Sequence, residues 1–101
     1  MSELVDRDAV EMRDMLARGE TSSVALVEAH IARAREVDGT INAFVHRFDE
    51  AALRAAEARD EARAAGEDRG PLDGIPISIK ESMATAGVPS TLGLSKRQEV
   101  V

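Results

Sequence analysis

In the stretch Gly74-Ile75-Pro76-Ile77-Ser78-Ile79-Lys80, apolar and polar residues alternate. On an extended chain Ile75, Ile77 and Ile79 fall on one side, and Pro76, Ser78 and Lys80 on the other. A period of two in β-branched residues predicts a strand with one greasy face. Upstream, Gly66 to Leu72 reads as a polar turn, with Gly70-Pro71 near its end. Downstream, Ala86-Gly87-Val88-Pro89-Ser90-Thr91 and Leu92-Gly93 read as loop. Sites in α/β sheets are built where strand ends meet such loops, which singles out Lys80. A lysine among apolar groups loses charge stabilisation and can serve as a general base. A strand-end lysine pointing into water does not, and the pattern alone leaves both readings open.

Working back from that stretch, Asp49 offers an N-cap for a helix over about residues 50–65, rich in Ala, Glu and Arg. Ala51, Ala55, Ala58, Ala62 and Ala65 share one of its faces, a small-residue stripe suited to close packing. Thr40 to Phe48 alternates weakly and predicts a short strand. Before it, Val24, Val27, Ile31 and Ala34 mark a helix that opens near Thr21, Ser22 or Ser23 and stops at Gly39. The first helix covers about residues 8–18, with apolar Ala9, Met12, Met15 and Leu16 close to a 3.6 period, Asp8 and Glu11 as a capping box, and Gly19 as its stop. The order helix, helix, strand, helix, strand gives an α/β class with one possible crossover. Two strands do not make a stable sheet, and Val100-Val101 resembles the start of a further element, so the expectation is a piece of a larger domain.

The chain has 101 residues, one domain's worth, with a net charge of −6 and a hydrophobic share of 44%. Only 2% is aromatic, so the core must come from Ala, Val, Ile, Leu and Met. An acidic, ring-poor chain lacks both the basic footprint and the stacking surface of a nucleic-acid reader, and no nucleic-acid partner is expected. With no cysteine, disulfides, thiolate metal sites and a thiol nucleophile are excluded. The N-terminus carries charges where a signal peptide would need an apolar run, so none is expected, and no apolar run approaches the ~20 residues that span a bilayer. A cytoplasmic location with no membrane contact is expected. His30 and His46 have no ligand-like spacing, no phosphate loop occurs, and no metal or organic cofactor is implied. Glu50 and Arg54, four residues apart, read as a solvated helix face.

Beyond these patterns, Gly70-Pro-Leu-Asp-Gly-Ile-Pro-Ile-Ser-Ile-Lys80-Glu, continuing through Thr85-Ala-Gly-Val-Pro-Ser-Thr91, resembles the amidase signature family. Gly19-Glu-Thr-Ser-Ser-Val-Ala-Leu-Val-Glu-Ala-His30 and Ile41-Asn-Ala-Phe-Val45 are similar to that family's N-terminal helices and first strand. Ser90-Thr-Leu-Gly-Leu94 and Glu81 resemble its fatty-acid amide hydrolase branch. The resemblance covers essentially the whole chain. It implies an incomplete α/β domain: the N-terminal helical portion plus the first strands of a large mixed sheet. On this reading residues 1–101 are the N-terminal part of one amidase domain, with a helical hairpin at about 8–38, then strand–helix–strand at about 41–80, then loop.

The same resemblance implies hydrolysis of a small-molecule carboxylic amide by a serine–cis-serine–lysine triad, with Lys80 as the lysine. A serine hydroxyl needs a base that is deprotonated at working pH, and a neutral lysine supplies it through the bridging serine. Both serines of the family lie further downstream, around a Gly-Gly-Ser-Ser-Gly-Gly-like segment. Ser78, Ser82, Ser90 and Ser95 do not match them, so the chain alone is expected to be inactive. The competing reading, from the helical first half and the alanine stripe, is a non-catalytic module that docks to a protein partner or to a second copy of itself.

Overall fold

The computed structural model describes residues 3–83 and 85–88. These form a 3-10 turn (Leu4–Asp6) and three helices, α1 (Ala9–Ala17), α2 (Ser23–Ile41) and α3 (Asp49–Ala64). The Ser90–Leu94 motif, Ser95 and Val100-Val101 lie outside the described residues.

Helix α1 starts where Asp8 accepts from Glu11 N–H at 2.8 Å while Glu11 Oε1 accepts from Asp8 N–H at 3.3 Å, a reciprocal capping box. It ends in a Schellman motif. Gly19, at φ +72°, donates to Leu16 O, and Glu20 donates to Met15 O. Helix α3 ends the same way at Gly66, whose N–H reaches Arg63 O while that of Glu67 reaches Ala62 O.

Helix α2 runs through Gly39 and does not stop there. Asn42 closes it in the left-handed region, at φ 53° and ψ 47°, which Asn tolerates better than most non-glycine residues. The Asp38 carboxylate then accepts from the N–H groups of Ala43 and Phe44, taking up two donors just past the end. A lone glycine lowers helix stability without breaking the hydrogen-bond ladder, so the cap and not the glycine sets the boundary.

Met12, Leu16 and Leu26 form the core cluster, with Leu4 and Ile75 packed against it. Leu26 is fully buried, and Val27 and Ala56 are nearly so. Helix α3 does not use the expected face. Ala56 is buried and Ala52 and Leu53 half-buried, whereas of the expected stripe Ala51, Ala55, Ala58 and Ala65 are exposed and Ala62 alone is half-buried. Polar side chains decide this rotation, because Arg59, Asp60 and Arg63 need the partners that α2 and the following loop offer. Asp49 is the first residue of α3 and caps nothing; its carboxylate instead meets Arg47 at 2.8 Å.

Among the described residues there is no strand, so they adopt a helical arrangement and not the expected α/β one. Thr40 and Ile41 belong to the last turn of α2, and residues 42–48 and 75–80 have no regular structure. A strand exists through its ladder, and the described residues supply no neighbour for either segment. Ile75 is packed inward, but Ile77 and Ile79 are 72% and 55% exposed, so the greasy face of the alternating stretch is largely uncovered.

Two glycines should respond oppositely to alanine. Gly39 is helical with open space around the missing Cβ, so Gly39→Ala should raise stability by about 0.5–1 kcal/mol. Gly19→Ala should lower it by a comparable amount, because φ is +72° there. Urea denaturation of the two variants checks both signs.

Candidate functional site

One polar face of α3, made of Arg59, Asp60 and Arg63, ties that helix to the start of α2 and to the turn at Asp73. A helix N-terminus leaves four N–H groups without helical acceptors. Asp60 reaches across to α2 and accepts from two of them, Ser23 N–H at 2.7 Å and Val24 N–H at 3.0 Å. Ser22 Oγ accepts from a third, Ala25 N–H, at 3.0 Å. The carboxylate also stands at the positive end of the α2 dipole. Arg63 donates from Nη1 to Asp60 at 2.7 Å and from Nη2 to Ser23 Oγ at 2.9 Å. Ser23 is fully buried, and this bond satisfies its hydroxyl oxygen. Partial burial works against ionisation of Asp60, but the backbone N–H groups of Val24 and Ser23, with Arg63, outweigh it and hold the carboxyl below its ordinary range.

Next to this network lies the Leu72–Ile75 turn. Arg59 makes a two-pronged pair with Asp73, Nε to Oδ1 at 2.6 Å and Nη2 to Oδ2 at 2.9 Å. Arg69 N–H donates to Asp73 Oδ2 at 3.1 Å. Arg59 foremost, and then the Arg69 amide, hold the Asp73 carboxyl far below the usual carboxylate value. Gly74 follows at φ +83°, and a Cβ there would collide with Ser23 Oγ and the Arg63 guanidinium. Ile75 N–H closes the turn on Leu72 O at 3.1 Å while its side chain joins the core cluster. Three successive residues are therefore held by three different means: ion pair, backbone apposition and apolar packing.

Lys80 lies past this anchored triplet and is exposed, as are Ser78 and Ser82. Its carbonyl accepts from Met83 N–H at 2.9 Å, turning the chain. Met83 is 62% exposed, so apolar side chains flank the lysine without enclosing it. Neither histidine lies near Lys80 in sequence. His30 Nδ1 is 2.7 Å from Leu26 O and must be the protonated nitrogen, since a carbonyl only accepts. His46 stacks on Phe48 with ring centroids 6.3 Å apart. Among the described residues no group of three or more His, Cys, Asp or Glu is arranged to hold a metal ion, and no helix is long and apolar enough to cross a membrane. The sequence pattern pointed to Lys80 but missed Arg59, Asp60, Arg63 and Asp73. Only the single-turn spacings 59–60–63 and the position of Asp73 beside Gly74 hinted at them.

These geometries make the acid limb of stability predictable. Asp60 and Asp73 titrate lower in the folded chain than in the unfolded one. Their contributions are therefore complete above the ordinary carboxylate range and are lost as pH falls through the depressed folded values. Asp73→Asn should flatten the loss of stability below about pH 5, read as urea midpoints from pH 7 downward. Asp60→Ala should cost about 1–2 kcal/mol near neutral pH, the value of a lost helix cap. Gly74→Ala should be destabilising by at least about 1 kcal/mol from backbone strain alone.

Residues 25–101 match the amidase family. The chain is 43% identical over 93 residues to the glutamyl-tRNA(Gln) amidotransferase A-subunit of Salinispora arenicola, covering 92% of this chain and 19% of that protein. The same-named protein of Chloroflexus aurantiacus is 46% identical over 93 residues, again 92% of this chain and 19% of the relative. That of Nocardia farcinica is 45% identical over 92 residues, 90% of this chain and 19% of the relative. The chain thus spans about a fifth of the length of the curated relatives it matches. The stretch that carries Gly74, the polar face of α3 and Lys80 falls wholly within the family match, and the chain belongs to the amidase family.

Proposed function

We propose that these residues are the N-terminal part of a single amidase domain that cleaves carboxylic amides, and that Lys80 is its catalytic base. The observation that carries this reading is the position of Lys80. It ends a Gly-Ile-Pro-Ile-Ser-Ile-Lys run that lies inside the family match and leaves a turn anchored at Asp73, Gly74 and Ile75. In the proposed mechanism the neutral amine draws a proton, through a bridging cis-serine, from a serine hydroxyl that attacks the amide carbon. Backbone N–H groups would stabilise the resulting oxyanion. Both serines and those donors belong to polypeptide outside the 101 residues.

On this reading residues 42–48 and 75–80 become strands of a mixed α/β sheet once neighbours pair with them, which accounts for the exposure of Ile77 and Ile79. Such cover would also lower the polarity around Lys80. The relatives are, by name, subunits of an amidotransferase for glutamyl-tRNA(Gln). The corresponding proposal is that the whole protein works beside partner subunits on a tRNA-borne amide chemistry, in the cytoplasm. The expectation of no nucleic-acid partner is accordingly withdrawn. The composition of one fifth of a protein does not bear on surfaces built by the rest.

In a full-length amidase carrying this segment, Lys80→Met should lower amide turnover by about 10²-fold or more and leave the melting temperature nearly unchanged. The 101-residue chain alone should give no amide hydrolysis above background. Full turnover in Lys80→Met, or Lys80-dependent hydrolysis by the short chain, would overturn the proposal.

A further inference from the structure

We infer that Arg59 and Arg63 of α3 are positioning residues for Lys80, acting through Asp73 and through the Ser23–Gly74 apposition to fix the start of the segment that carries the lysine. This deepens the proposed function and rests on Lys80 being the catalytic base.

Between α3 and Pro76 the chain retains few freedoms. The Asp73 side chain is only 7% exposed, and both its oxygens are taken by the planar guanidinium of Arg59. Such a fork constrains orientation as well as distance, which an ammonium would not do. One helical turn on, Arg63 holds Ser23 Oγ, and these two groups fill the place a Cβ would occupy at Gly74. Gly74 can therefore neither move toward α2 nor be replaced without displacing the network. Pro76 locks its own φ and drives Ile75 toward extended backbone. Arg59 and Arg63 are also braced: they are four residues apart on one helix, and Asp60 ties that helix to the N-terminus of α2.

Of the three anchors on residues 73–75, the Asp73 pair is polar and directional, Gly74 is confined by close apposition to Ser23 and Arg63, and Ile75 is held by apolar contact. Apolar packing keeps a segment buried but tolerates sliding, whereas a two-pronged pair does not. An error in the direction of the chain at Gly74 is carried forward to Lys80. Misplacement of a reacting group by about 1 Å can cost about 10²-fold in rate. The side chains that set this direction belong to α3 and not to the lysine's own segment.

The absence of cysteine permits a direct test. Nitroxide labels are placed on two introduced cysteines, at exposed positions 28 and 80, in the full 101-residue chain. Their distance distribution is read by pulsed electron resonance in the parent, in Arg59→Met and in Asp73→Asn. The distribution should be narrow in the parent and clearly broader in both variants, with helical circular dichroism retained. Asp73→Asn leaves α3 intact, so it remains informative if Arg59→Met fails to fold. In a full-length amidase carrying the segment, Arg59→Met should lower kcat about tenfold with KM within about twofold, and Arg59→Lys should recover only part of the loss. Unchanged distance distributions, or broadened ones with unchanged kcat, would overturn the inference. Full activity in Lys80→Met would instead remove the catalytic reading of Lys80, while the label distances would still report whether Arg59 orders the segment.

Discussion

The Asp60 carboxylate is the contact on which the arrangement depends. It lies on α3 but acts as a cap for α2, accepting from Ser23 and Val24 N–H groups while Arg63 braces it from the next turn. Caps are ordinarily local, supplied by the residue just before the helix. Here Ser22 supplies the local cap to Ala25, and Asp60 adds a second one from 36 and 37 residues away in sequence. A local cap fixes where a helix starts. A distant cap also fixes which helix lies against that start and at what rotation.

That role explains a balance of forces unusual for a helical assembly. With no Trp or Tyr and only two Phe, the apolar core is small, centred on Met12, Leu16 and Leu26. Phe44 and Phe48 are both exposed and add little to it. Ion pairs at the surface contribute little on their own. The Arg59–Asp73 and Arg63–Asp60 pairs differ because each also engages further groups, the Arg69 N–H within the loop at Asp73 and the Ser23 N–H and hydroxyl of α2 at Asp60 and Arg63. Their value is geometric: they select one rotation of α3 and one path for the chain after it.

Much of the helical framework could be read in the sequence, because its signals are local. The Asp8–Glu11 capping box, Gly19 and the Ser22 cap each act within one turn of the residue that announces them. The face of α3 could not be read so. Ala51, Ala55 and Ala58 form the tidier stripe, but the buried side is set by what Arg59, Asp60 and Arg63 find on other elements. The stop of α2 was misplaced for a related reason, since Gly39 is a weak local preference and Asn42 with Asp38 forms an actual cap. The alternation at 75–80 is a true feature of the sequence, but pairing requires a second strand, and periodicity carries no information about whether one is present. Lys80 stood out through its place at the end of that alternation, whereas its supports are dispersed over two other segments.

Gly74 has a consequence that reaches into heredity. Its backbone lies in the left-handed region, with Ser23 Oγ and the Arg63 guanidinium standing where a side chain would begin. Every missense change of a single base in a glycine codon introduces a β-carbon. Codon 74 therefore has no missense neighbour that escapes both the obstruction by Ser23 and Arg63 and the strain of a positive φ, so even a change that made room would leave the backbone penalty in place.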